Sequence, residues 1–144
     1  MEEGALIPGN RGKPADIFIP HWTGGKDTAL DVTVVHPLTP SRLSTSAESP
    51  GSTLETAFKN KCRNTEDACA QEGIIFLPLP EESLGGWHPK ALAELKRLAR
   101  AQASARGGKE DEASRHLLQC LSVLLMKGNS ALLSLRDPSH PPAP

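Results

Sequence analysis

Three side chains carry charge where the hydrophobic pattern of this chain calls for a core: Asp16, Asp31 and Lys61. Asp16 falls in "ADIFIP" (15–20) and Asp31 in "ALDVTVVH" (29–36), two apolar stretches joined by "HWTGGKD". Side chains alternate across a strand, so Ala29, Asp31, Thr33 and Val35 share one face. An ionised carboxylate buried alone is costly, and two side by side are worse unless a cation lies between them. A divalent metal resolves that conflict, because Mg2+ takes one or two carboxylates plus water and phosphate oxygens. Backbone amides at strand ends resolve it too, and spacing by itself favours the amides.

Lys61 belongs to a different element. "STLETAFKNKCRNTEDACAQEG" (52–73) opens with Ser52 and Glu55 at capping-box spacing and closes on Gly73, a suitable C′ residue. Its apolar stripe runs Leu54, Ala57, Phe58, Lys61, Cys62, Thr65, Ala68, Cys69 at helical spacing. Lys61 sits in the middle of that stripe, whereas Lys59 lies off it and is expected in solvent. A helix packed on the sheet points the Lys61 amine at the face that carries the two acids. The other reading is that Lys61 snorkels to the rim.

The elements that must hold these groups can be read along the chain. Strands are expected over 15–20 and 29–36, with Gly24 and Gly25 in the turn; the second reads as a central strand covered on both faces. "PLTPSRLSTSAESPGST" (37–53) is rich in Pro, Ser and Thr and reads as a long flexible loop. "IIFLPL" (74–79) is a buried strand, "PEESLGGWH" (80–88) a loop, and Pro89 suits the first turn of a helix over about 89–105. A further helix is expected over about 110–127, with Ala113, Leu117, Cys120, Leu121 and Leu124 on one face and Gly128 closing it. The tail 137–144, "DPSHPPAP", has a disordered composition. The order β-β-α-β-α-α describes an α/β fold: a small mixed sheet, made of a hairpin plus one further strand, packed by helices and followed by a helical C-terminal part (89–136). Residues 1–136 are expected to form a single domain.

Composition bounds the function. With 144 residues and 3% aromatics, any core must rest on Leu, Val, Ile and Ala. The net charge of −1 draws the chain as a whole toward neither nucleic acid nor membrane. No uninterrupted apolar run approaches the roughly 20 residues of a membrane helix, and the first ten residues lack the basic-then-apolar order of a secretion signal. Cys62, Cys69 and Cys120 show no CxxC spacing, so three buried thiols in a reducing compartment are expected. The expected setting is intracellular, and nuclear if the chain acts on DNA.

The stretches "RGKPADIFIP", "ALDVTVVHPL", "AFKNKC", "ACAQEGIIFLPLPEESLGGW" and "RHLLQCLSVLLMKGNSALL", in that order, give the chain a family likeness. It resembles the PD-(D/E)XK nuclease superfamily, the restriction-endonuclease-like fold. More closely, it resembles the endonuclease-like segments beside reverse transcriptases in non-LTR retrotransposons and their orphan relatives. The resemblance runs from Arg11 to Arg136, apart from 37–53. It implies that Asp16 is the first acid and Asp31 the second, and that both, with the backbone carbonyl of Val32, bind Mg2+ or Mn2+. It implies hydrolysis of a DNA phosphodiester by water, with Lys61 orienting that water or stabilising charge. The triplet's lysine position holds Thr33, and Lys61 stands where a lysine migrated to the following helix is expected. Where close relatives carry a second lysine followed by tyrosine, this chain has Asn64 and Thr65. The core would lack its first helix and strand, as in a truncated copy, and the sheet edge so exposed would permit a homodimer. Glu82 is a weaker candidate, set near the metal or simply an exposed loop acid.

Lys96, Arg97 and Arg100 lie in a basic helix that could contact phosphates, although Glu94 and "KEDE" interrupt its charge. Trp22 and Trp87 flank glycine turns and are expected to cap the core, although a tryptophan could also stack on a base. The five histidines show no ligand spacing. Three functions are compatible with this pattern: a metal-dependent DNA phosphodiesterase, a catalytically inactive nucleic-acid-binding relative, and a helical protein-interaction module.

Overall fold

The computed structural model describes residues 15–136. The expected tail over 137–144 and the start of the family likeness, Arg11 to Pro14, lie outside them.

Two strands form the hairpin, β1 (Ile17–Thr23) and β2 (Lys26–Val35). Gly24 (φ 59°) and Gly25 (φ 77°) both take positive φ between the paired Thr23 and Lys26. Such a two-residue turn has the twist that an antiparallel hairpin needs, and glycine adopts it without steric cost. The chain then crosses through α1 (Leu43–Glu48) and α2 (Ser52–Gln71) to β3 (Ile75–Glu82). β3 runs parallel to β2, with Asp31 opposite Pro78, so the mixed sheet has the order β1-β2-β3. Two helices follow, α3 (Pro89–Arg106) and α4 (Glu110–Arg136). The α/β class, the hairpin and the returning third strand are as the pattern predicts.

Four details differ. The segment 37–53 contains α1, tied down where Ser46 Oγ donates to Pro37 O (3.1 Å) and lies 2.9 Å from Thr53 Oγ1. α2 begins at the expected place without its capping box. Gly51 is the N-cap, with no side-chain bond, and Glu55 turns outward to other partners. β3 continues through Pro78 and Pro80 to Glu82, because both prolines present their backbone to the side away from β2. On that side Pro80 O accepts from His88 N (3.1 Å), so no ladder bond is lost. α4 passes straight through Gly128 to Arg136, since a mid-helix glycine weakens a helix without ending it.

The first compact unit extends to Ala91 and the second begins at Leu92. In the first, every residue of the predicted α2 stripe is buried or half-buried, Lys61 included. One cluster of its core sets Phe76 among the small side chains of Ala15, Ala29 and Cys69, with Ala68 and Ile74 packed against them. α2 ends in a Schellman motif, with Ile74 N donating to Cys69 O (2.9 Å) and Gly73 N to Ala70 O (3.0 Å). Gly73 has the positive φ of 72° that this closure requires. β2 is covered on both faces only over Thr28–Leu30; beyond that Val32 (41%) and Val34 (53%) are exposed opposite α2. Of the three cysteines only Cys69 is buried; Cys62 is half-buried and Cys120 exposed, since burial depends on helix face and not on residue type.

In the second unit, Leu95, Ala99 and Ala103 form a buried stripe on α3 at spacing four. Gly108 N donates to Ala103 O (2.8 Å) where the chain turns into α4. The α4 face read from the sequence is turned inward only in part: Ala113, Leu117 and Leu121 are half-buried. Only Ser114 of this helix is buried, while Leu124 is 62% exposed and Cys120 is exposed. α4 is also long and apolar enough to cross a membrane, with a mean hydropathy of 1.3 over 18 residues. Lys127 interrupts the apolar run, which hides this from a scan for uninterrupted stretches.

Candidate functional site

Asp31 sits mid-strand on the α2-facing side of β2, and its side chain is 13% exposed. α2 crosses above it and brings Lys61 down, so that Nζ lies 2.7 Å from Asp31 Oδ2. Thr33, next along the same face, donates its hydroxyl to the same oxygen over 3.5 Å. The lysine in the apolar stripe therefore has a partner: it pairs with the acid that the same packing half-buries.

Asp16 lies just before β1 and is exposed, contrary to the expectation of burial. Its backbone N donates to Leu30 O (3.0 Å), extending the hairpin by one bond. Its carboxylate Oδ2 accepts the Val32 N–H (2.9 Å). Strand-end position and a backbone amide together account for an acid at the edge of an apolar hairpin, as the amide alternative anticipated. In an antiparallel strand a residue's N–H and C=O point to the same side, so the Val32 carbonyl also faces the edge where Asp16 lies. Asp16 and Lys61 thus contact consecutive residues of β2, Val32 and Asp31, at one corner of the sheet.

The donor set can be tested against a divalent cation. Each carboxylate has Oδ2 engaged, and neither Oδ1 has a partner among the described residues. Two carboxylates plus a carbonyl suit Mg2+ or Mn2+, which fill their remaining positions with water or phosphate oxygens. Among the described residues no three His, Cys, Asp or Glu side chains gather as a closed zinc-type site would need.

The remaining candidates lie elsewhere. Glu82 pairs with Val35, four residues beyond the Asp31–Pro78 pair, which is about 13 Å along a strand. It does not reach the acid corner. On α3, Arg97 is bound to Glu94 (3.3 Å), Lys96 is half-buried and Arg100 is exposed, so these three do not form one open phosphate-binding row.

Two features have no clear signal in the sequence. The first is His88, buried beneath the start of α3. Its Nδ1 accepts the Lys90 N–H (3.2 Å), capping the helix, and its Nε2 lies 2.8 Å from Glu55 Oε2. These two bonds fix the tautomer with the proton on Nε2. The ring stacks on Phe58 at 4.3 Å and 12°, and Lys90 Nζ lies 5.0 Å from the Phe58 centroid. The His88 bond, and after it the Lys59 ammonium, holds the Glu55 carboxyl below its usual range. With both ring nitrogens occupied, His88 braces α2 against α3's first turn and has no nitrogen left to take a substrate proton. A cleft of about 550 Å3 adjoins it, lined by Phe58, Lys59, Arg63 and Lys90 among others. Only the position before Pro89 hinted at a cap, and histidine is not a usual capping residue.

The second feature is Glu81, which is 6% exposed. Strand alternation puts it on the face opposite α2 and turns neighbouring Glu82 the other way. Desolvation raises its carboxyl pKa. The folded chain then holds a proton that the unfolded chain has released, so this contribution to stability is present at low pH and lost as pH rises through the folded value. Glu81→Gln is expected to melt a few degrees above the wild type at neutral pH and level with it below the ordinary carboxylate range. Parallel thermal melts across pH check this, and an offset independent of pH would refute it.

Comparison with known protein families, with characterised proteins and with solved structures finds no match to this chain.

Proposed function

We propose that the chain is a retroelement-derived, restriction-endonuclease-like protein whose ancestral reaction is metal-dependent hydrolysis of DNA phosphodiesters. The observation that carries this reading is the 2.7 Å contact between Lys61, from the helix after the hairpin, and Asp31, the mid-strand acid. An exposed second carboxylate, Asp16, is bonded to the next residue of the same strand. Asp16, Asp31 and the Val32 carbonyl would hold Mg2+ or Mn2+. Bound there, the ion would neutralise phosphate charge and make water nucleophilic at neutral pH.

The chain's own residues act around that ion. The α2 stripe fixes the direction of Lys61, and Asp31 fixes its amine, so a donor stands ready where negative charge grows on a phosphate oxygen. Thr33, in place of the triplet's lysine, supplies a neutral hydroxyl and leaves Lys61 as the corner's one cation among the described residues. The Val32 N–H holds the Asp16 carboxylate in one orientation and so limits its reorganisation on binding an ion.

Thermal unfolding in EDTA, Mg2+ and Mn2+, for the wild type and Asp31→Asn, tests the metal site. Saturating ion at a hundred times its dissociation constant is expected to stabilise the wild type by about 2.7 kcal/mol and the variant by none. A cooperative transition indifferent to metal in the wild type would remove the hydrolase reading and leave an inactive binding scaffold.

A further inference from the structure

α2 carries Lys59, Lys61 and Arg63 in close succession, and the three do not share a side. Lys59 and Arg63 each stand two residues from Lys61, about 200° around the helix, so both face away from the acid corner. On that flank lies the cleft of about 550 Å3, lined by α2, β3 and the residues that start α3. Its lining residues run from Glu55 to Lys90, all within the first compact unit. The floor is apolar, with Phe58 (8%) and Phe76 (6%) buried and Leu77 half-buried. The rim is cationic: Lys59 and Arg63 come from α2, and Lys90 from the first turn of α3.

Little of this charge is neutralised inside the protein. Arg63 and Lys90 have no ion-pair partner among the described residues. Lys59 Nζ lies 3.1 Å from Glu55 Oε1, but its side chain is 67% exposed, and such an exposed pair holds it weakly. Glu55 is also taken by His88 through Oε2. The other acid of the cleft is Glu66, which is exposed. Burial and then Glu66 push the Cys62 thiol up, against Lys90, so both charges reach into the cleft. Cations gathered over an apolar floor repel one another and focus a positive potential, which a bound anion relieves.

We propose that this cleft binds a phosphate monoester, at a site separated from the acid corner by the width of α2. The proposal does not rest on cleavage at that corner. A terminal phosphate offers three oxygens and up to two charges at neutral pH, enough for the Arg63 fork and both lysines together. A carboxylate or a backbone phosphodiester offers two free oxygens and one charge, and leaves a cation unmatched. The volume falls in the range of small-molecule sites, so the esterified group has room above Leu77. Two sources carry this chemistry: a phosphorylated small molecule and the phosphorylated end of a nucleic-acid strand.

Calorimetric titration of the full chain with inorganic phosphate, in EDTA and at constant ionic strength, tests the site. Saturable binding is expected, weakened about tenfold by Arg63→Gln and by Lys90→Gln. Glu66→Gln should tighten it about threefold, because that change removes the opposing charge. Arg100→Gln, outside the cleft, should change nothing, and Asp31→Asn should bind phosphate as the wild type does, whether or not the acid corner cleaves DNA. Arg63 is exposed, so its variant should melt with the wild type. Should Lys90→Gln melt lower, because its ammonium lies 5.0 Å from the Phe58 centroid, Arg63→Gln and Glu66→Gln carry the test. A nucleoside monophosphate that binds as tightly as a 5′-phosphorylated oligonucleotide identifies a small molecule as the source. An oligonucleotide that binds more tightly, and loses that advantage with hydroxyl ends, identifies a strand end. Phosphate binding weaker than about 10 mM, an affinity indifferent to Arg63→Gln, or a hydroxyl-ended oligonucleotide that binds as well as the phosphorylated one would overturn the proposal.

Discussion

In Asp31→Asn, metal-supported nicking of plasmid DNA is expected to fall by about a hundredfold or more, while thermal stability without metal changes little. The two effects separate because of exposure. The Lys61 side chain is 40% exposed and keeps its hydration when its partner becomes neutral, so the lost ion pair costs less than about 1 kcal/mol. The proposed chemistry loses far more, since asparagine keeps the shape but gives up the charge that would bind the cation. Lys61→Met should reproduce the loss of cleavage yet retain the metal-dependent rise in melting temperature. If Asp31→Asn cleaves as well as the wild type, the acid corner is not the active site.

Phe58→Ala is expected to cost roughly 3–5 kcal/mol, a large share of the 5–15 kcal/mol that holds an ordinary domain together. Phe58 is 8% exposed, lies under the His88 ring and has the Lys90 ammonium close to its ring. With 3% aromatics the chain has few large groups with which to refill the space. The loss also frees His88 to move, and with it the cap on α3. The double variant Phe58→Ala/His88→Ala should therefore fall short of the summed single losses by about 1 kcal/mol, measured by urea unfolding. A single-variant loss below about 1 kcal/mol would mean that α2 is not braced there.

What could be read from the residues was set by local rules. Gly24-Gly25 fixes the hairpin turn, Gly73 the end of α2 and Pro89 the start of α3, because each of those backbones needs a conformation that few residues supply. The α2 stripe predicts its buried face residue by residue, and from it the direction of Lys61. The acid corner was legible to the same extent: two acids in neighbouring strands and a lysine on the covering helix.

The rest depended on neighbours that local pattern cannot name. Asp16 looked buried by composition, but it precedes the strand and reaches the Val32 amide from outside. β3 runs through two prolines because their missing donors face the side of the strand away from β2, a fact about sheet position and not about proline. Glu81 and Glu82 are adjacent acids, and only the pleat of a placed strand decides which one is desolvated. Ser52 and Glu55 had the spacing of a capping box, yet Glu55 went to His88, 33 residues away, because the start of α3 came within hydrogen-bonding reach. The sequence by itself determined where the chain turns and which helix face is apolar. The tertiary structure alone decided that Glu55 meets His88 and that Glu81 is the desolvated acid, because such contacts depend on side chains that distant segments bring together.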